Sequence, residues 1–155
     1  MKNRINLLLV GLGLLFAACS NSSLIDDYHA LPAEGWSKTD KQQFELNITD
    51  TTVSYRFFIN IRNTVDYKYS NLYVFLNTRF PNGNHTRDTI ECLLAEPSGK
   101  WVGHGMGRIR ENQILLNQSL RFPIRGKYKF ELEQAMRTDT LQGITDIGIR
   151  IQQGF

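Results

Sequence analysis

Hydrophobic and polar residues alternate along most of the chain from about residue 44. Phe44, Leu46 and Ile48 are separated by Glu45 and Asn47. Val53, Tyr55, Phe57, Ile59 and Ile61 alternate with Ser54, Arg56, Phe58, Asn60 and Arg62. The same period returns in Leu72-Val74-Leu76, in Tyr128-Phe130-Leu132 and in Ile147-Ile149-Ile151. A period of two sends successive side chains to opposite faces of a strand, so each run predicts a strand with one face buried and one wet. That is the habit of antiparallel sheets. Two further strands are expected at 88–95 and about 113–122, for seven or eight in all.

Turn chemistry separates these runs. Pro81-Asn82-Gly83-Asn84 combines a residue that presets a turn with a pair that tolerates positive φ. Pro97-Ser98-Gly99-Lys100 and Arg125-Gly126-Lys127 are the next candidates. No long amphipathic helix is expected; Glu131–Arg137 has room for one helical turn. Many short strands at regular spacing predict an all-β fold, a single antiparallel β-sandwich or closed barrel, with a jelly-roll-like sandwich preferred.

The N-terminus follows a different rule. Lys2 and Arg4 precede an apolar run from Ile5 to Phe16. The run is too short to cross a bilayer, which needs about 20 apolar residues, and suits a secretory signal peptide. It ends on Ala17-Ala18-Cys19, which resembles the bacterial lipobox, where the thiol receives a diacylglyceryl group before cleavage. The expected division is a signal peptide at 1–18, a lipid-anchored flexible tether at 19–37 and a β-sandwich domain at 38–155. The polar Ser20-Asn21-Ser22-Ser23 run, Asp26-Asp27, Pro32 and Gly35 argue for the tether. Ser20 after the cysteine favours the outer membrane, by analogy with lipoprotein sorting elsewhere, with the periplasmic face preferred.

Cleavage changes the charge. Lys2 and Arg4 leave with the signal, so the mature chain carries 16 basic and 15 acidic residues, a net charge of +1. A near-neutral domain offers no electrostatic argument for nucleic acid. Lipidation of Cys19 leaves Cys92 without an internal disulfide partner, and its strand-like surroundings predict a small core residue. The three histidines lack metal-ligand spacing, so no metal or cofactor is expected. Glu131 and Glu133 share a strand face with Lys129, which reads as a solvated, salt-bridged face rather than an acid–base pair. No nucleophile elbow or nucleophile–base–orienter set is present, and the chain is expected not to be an enzyme. Three Asp-Thr pairs, at 50, 88 and 139, match a short O-glycosylation pattern used on some exported bacterial proteins.

Two segments are candidate interaction surfaces. Trp101-Val102-Gly103-His104-Gly105-Met106-Gly107-Arg108, read as a strand, would place three glycines on one bare face. That face would receive an aromatic ring or, as a docking groove, a partner segment or a sugar. Tyr67, Tyr69 and Tyr73 cluster, and any that point outward could stack on sugar rings or anchor a partner. Tyr67, Tyr69, Tyr73, Trp101, His104 and Arg108 form the candidate surface.

Several blocks together resemble the gliding motility lipoprotein GldH family. They are Tyr69–Phe75, Asp88–Glu91, Pro97–Gly105, Phe122–Tyr128, Glu133–Arg137 and Leu141–Arg150, in addition to the lipobox-like Cys19. The resemblance covers most of the mature chain. It implies a lipid-anchored cell-envelope protein linked to gliding and to the type IX secretion apparatus, with no catalytic residues to carry over. The expected function is a non-enzymatic accessory component of that machinery, held to the membrane by its lipid and acting through contacts with other envelope proteins. The alternative is a carbohydrate- or peptidoglycan-binding lipoprotein.

Overall fold

The computed structural model describes residues 23–154. The signal peptide and Cys19 lie outside the described residues. Ten strands follow in order: β1 (Ser23–Ala30), β2 (Trp36–Ser37), β3 (Gln42–Ile48), β4 (Tyr55–Thr64), β5 (Asn71–Arg79), β6 (His85–Leu93), β7 (Ile109–Leu120), β8 (Gly126–Gln134), β9 (Thr140–Leu141) and β10 (Ile144–Gln153). No helix occurs among the described residues.

Eight long strands form two antiparallel four-stranded sheets, ordered β1-β10-β4-β7 and β3-β8-β5-β6. Each connection between consecutive long strands crosses to the other sheet, except the β5–β6 hairpin. This wrapped order is that of a jelly roll, the form of sandwich preferred from the sequence. The hairpin turns where Pro81-Asn82-Gly83-Asn84 predicts. Gly83 has φ +88° and its N–H donates to the Phe80 carbonyl at 3.0 Å.

Alternation sets the core. In β3, residues 42, 44, 46 and 48 are buried while their neighbours are exposed. Ile59, Ile61, Ile147, Ile149 and Ile151 face inward from one sheet, and Leu72, Val74, Phe130 and Leu132 from the other. Full burial of each such side chain contributes about 1.5–3 kcal/mol. Phe57 and Phe130 bridge the sheets edge to face, with centroids 5.2 Å apart.

The structure corrects the tether. Residues 23–30 form β1, hydrogen-bonded along β10, and Trp36, assigned by sequence to the same tether, is fully buried. β1 hides its period for two reasons. A register shift between Ser23 and Ile25 interrupts the alternation. As a sheet edge it also tolerates charge, and carries Asp26 and Asp27 where a central strand would carry apolar residues. What holds it is its neighbour: a Cβ on Gly148 would lie 2.2 Å from the Asp27 carbonyl oxygen, so only glycine lets the strands approach.

Three smaller expectations also shift. The strand at 88–95 runs His85–Leu93, and that at 113–122 runs Ile109–Leu120. No helical turn forms at 131–137, because β8 is central and pairs with β3 on one side and β5 on the other through Gln134.

Candidate functional site

The long strands run alternately up and down, so the connections gather at two poles. One pole holds the N-terminal end of β1 at Ser23 and the short connections 49–54, 80–84 and 121–125. The other holds 31–41, 65–70, 94–108 and 135–143. All six residues of the candidate surface lie at or near this second, distal pole.

The distal pole uses these residues differently from one another. Tyr67 is buried; its hydroxyl donates to the Asn71 carbonyl at 2.9 Å, and burial pushes its phenol pKa up. Tyr69 is exposed and meets the Tyr67 ring edge-on at 67°. The coplanar row of exposed rings that a sugar-stacking face needs is therefore absent from this pair. Tyr73 is exposed on the outer face of β5, opposite Glu91. Trp101 is half-buried against the core, with its backbone bridged to Ala95. Arg108 forms an ion pair with Asp66.

The glycine-rich run is a loop, not the bare-faced strand expected. It doubles back on β7: His104 and Glu111 exchange backbone hydrogen bonds at 2.9 and 2.7 Å. The glycines permit that return. A Cβ on Gly103 would lie 2.6 Å from Asn112 Oδ1, and Gly105 has φ +138° with the Ile109 carbonyl 2.6 Å from its Cβ position. The loop thereby presents Val102 and Met106 to solvent, the latter 96% exposed.

Eight large hydrophobic side chains are exposed among the described residues: Leu24, Tyr69, Tyr73, Leu93, Val102, Met106, Ile109 and Leu115. All but Leu24 and Leu115 lie at the distal pole or on the strand ends that enter it. The candidate surface read from sequence holds Tyr69 and Tyr73 but misses Leu93, Val102, Met106 and Ile109. Leu93 had a signal: Cys92-Leu93-Leu94 breaks the alternation, so one of the three must point outward while its neighbours are buried.

The acidic candidates are structural. Glu133 lies 3.0 Å from Lys41 Nζ and 3.1 Å from Arg87 Nη1, and accepts from Asn77 Nδ2 at 2.6 Å. Burial raises its pKa, but the ion pairs outweigh that and hold it at about 2. Lys129, expected to serve Glu131 and Glu133, pairs instead with Glu45 at 2.8 Å, as does Lys127 at 3.0 Å. Glu45 on β3 is the residue directly opposite Lys129 on β8, and cross-strand partners are closer than next-neighbours on one strand. Burial pushes the Cys92 thiol up to about 12, so it is an inert core residue as expected.

A second concavity lies along one edge of the sandwich. β1 and β3 close the opposite edge, where the His29 ring stacks on Phe44 at 4.4 Å and its Nδ1 meets Gln42 Oε1 at 2.9 Å. Between β6 and β7 the sheets stay apart, leaving a cleft of about 660 Å³. Phe57, Phe80, Phe122 and Phe130 line it, with Asp88 and Arg121 among the polar residues of its wall. No local signal marks this cleft, because its walls come from segments distant in sequence.

The family model for the GldH lipoprotein matches residues 23–151. The chain is 37% identical over 147 residues to a gliding motility lipoprotein GldH homolog of Christiangramia forsetii, covering 90% of each chain. It is 33% identical over 160 residues to the gliding motility lipoprotein GldH of Flavobacterium johnsoniae, covering 99% of this chain and 98% of that one. No solved structure matches the chain.

Proposed function

Given that the chain belongs to the GldH lipoprotein family, we propose that it is a non-enzymatic accessory component of the gliding motility and type IX secretion-associated machinery. It is anchored by a lipid on Cys19 to the periplasmic face of the outer membrane and acts by contact with another envelope protein. The observation that carries this reading is the distal pole. Tyr69, Tyr73, Leu93, Val102, Met106 and Ile109 gather exposed apolar surface there. Six such side chains at one pole supply apolar anchors for a contact site. The surface fits an apolar patch on a partner protein, with Arg108 and Asp66 at its rim.

Co-purification from cells tests the proposal, using a tagged chain with Cys19 intact. The expected result is recovery of gliding or secretion machinery components, reduced about tenfold by Val102→Asp with Met106→Asp. Both positions are exposed, so the thermal midpoint should move by no more than about 2 °C. Recovery of no machinery component by the unaltered protein would defeat the accessory role. Undiminished recovery by the double variant would place the contact elsewhere.

A further inference from the structure

The two poles differ in charge as well as in apolar exposure. Cutting each long strand midway leaves eight Lys and Arg against four Asp and Glu in the half that contains Ser23, and eight against eleven in the other. The pole beside Ser23 is thus basic by about four charges within a domain that is nearly neutral. Arg79, Arg121 and Arg125 are exposed there and make no ion pair among the described residues. They lie on segments that meet at this pole. The turn after Arg79 and the segment holding Arg121 and Arg125 touch where a Cβ on Gly126 would meet Pro81 at 2.8 Å. Asp50 is the acid on the connections of this pole; the Thr52 hydroxyl at 2.6 Å and N–H at 2.8 Å, and after them the charge of Arg125, hold its carboxyl below the usual range.

Ser23 follows Cys19 by only four positions. Four fully extended residues reach about 14 Å. β1 carries the chain from that pole to the other over eight residues, about 26 Å at strand rise. Chain length therefore keeps the Ser23 end of the domain within reach of the bilayer and leaves its tilt to be set by what else meets the membrane.

We propose that the basic pole is a membrane-docking surface: Arg79, Arg121 and Arg125 rest on the phosphates of anionic phospholipid headgroups and point the distal apolar pole into the surrounding compartment. This rests on the Cys19 anchor. The lipid supplies attachment, and the arginines supply orientation, since each basic residue near an anionic surface is attracted within about a Debye length of it.

The test uses the lipidated mature protein reconstituted into vesicles of neutral phosphatidylcholine, or of phosphatidylcholine with phosphatidylglycerol. A fluorophore is placed at Asn82→Cys on the basic pole or at Ser98→Cys on the distal pole; Cys92 is buried and stays unlabelled. A headgroup-located quencher should quench the probe at 82 at least about threefold more than the probe at 98 in anionic vesicles. High salt, neutral lipid, or Arg79→Glu with Arg121→Glu and Arg125→Glu should erase most of that difference. The proposal is overturned if the two probes are quenched alike, or if the difference survives the triple reversal in a variant of unchanged thermal midpoint. Failure of the lipidated protein to associate with any vesicle would instead overturn the anchor, and this orientation with it.

Discussion

The two poles of the sandwich are built from the same strands yet solve different problems. The pole beside Ser23 has short connections, exposed arginines and an aromatic seal beneath them: Phe80, Phe122 and Tyr128 meet edge to face, and Tyr128 donates to the Ile124 carbonyl at 2.9 Å. The distal pole has longer connections, an acidic excess and exposed apolar side chains. Its seal is Trp36, whose indole N–H donates to the Asp40 carbonyl at 2.7 Å, with Tyr67 and Leu141 buried nearby. A short connection leaves few side chains to spare for contact, whereas a loop such as 94–108 can fold on itself and still project Met106. In the roles proposed for them, the short-connection pole would rest on the bilayer and the long-connection pole would meet a partner.

The comparison can be broken hardest at the distal seal. Trp36→Ala removes a fully buried indole and its hydrogen bond. A loss of about 3–5 kcal/mol is expected in denaturant unfolding. A loss below about 1 kcal/mol would mean that β2 and β9 are not part of the cooperative unit. At the opposite pole, the pairing of β1 with β10 is what ties Ser23 to the sandwich. Gly148→Val should cost about 3 kcal/mol through the clash with the Asp27 backbone. It should also raise amide exchange in β1 selectively, lengthening the leash. Equal protection of β1 in both proteins would show that the strand does not depend on that close approach.

The smallest expected effect is electrostatic and sharpens the distal half. Glu133 is held at about 2 by Lys41 and Arg87, below the ordinary carboxylate range near 4.3. A depressed carboxyl stabilises the fold fully above its unfolded pKa, and that contribution is lost as pH falls through the folded value. Stability should therefore decline from about pH 4 toward pH 2, with a shallower slope in Glu133→Gln. Identical slopes in acid unfolding curves would remove Glu133 from the account.

Legibility in the sequence divided along the same lines. The central strands were visible because each has one wet and one buried face, and that difference is written residue by residue, as in Tyr128-Lys129-Phe130. The β5–β6 turn was visible because Asn82-Gly83 has a backbone preference of its own. β1 was not, since an edge strand with a bulge keeps no period. Trp36 was lost with it, because a lone tryptophan between Gly35 and Ser37 carries no pattern. Among the candidate surface residues, proximity in sequence misled for Tyr67 and Tyr69: two positions apart, one became core and the other surface.

The amino-acid sequence by itself determined which residues alternate, where the hairpin turns, that Cys92 is a core residue, and that the chain resembles the family it belongs to. These are local properties, or properties of matching order. Only the tertiary structure decided that β1 joins β10, that the glycine-rich run folds back on β7, and that one edge closes while the other stays open. It also decided that three arginines, from 79 to 125 in the chain, share a pole with Ser23. Those facts depend on which distant segments the two sheets bring together, and burial of a common core, not local preference, makes that choice.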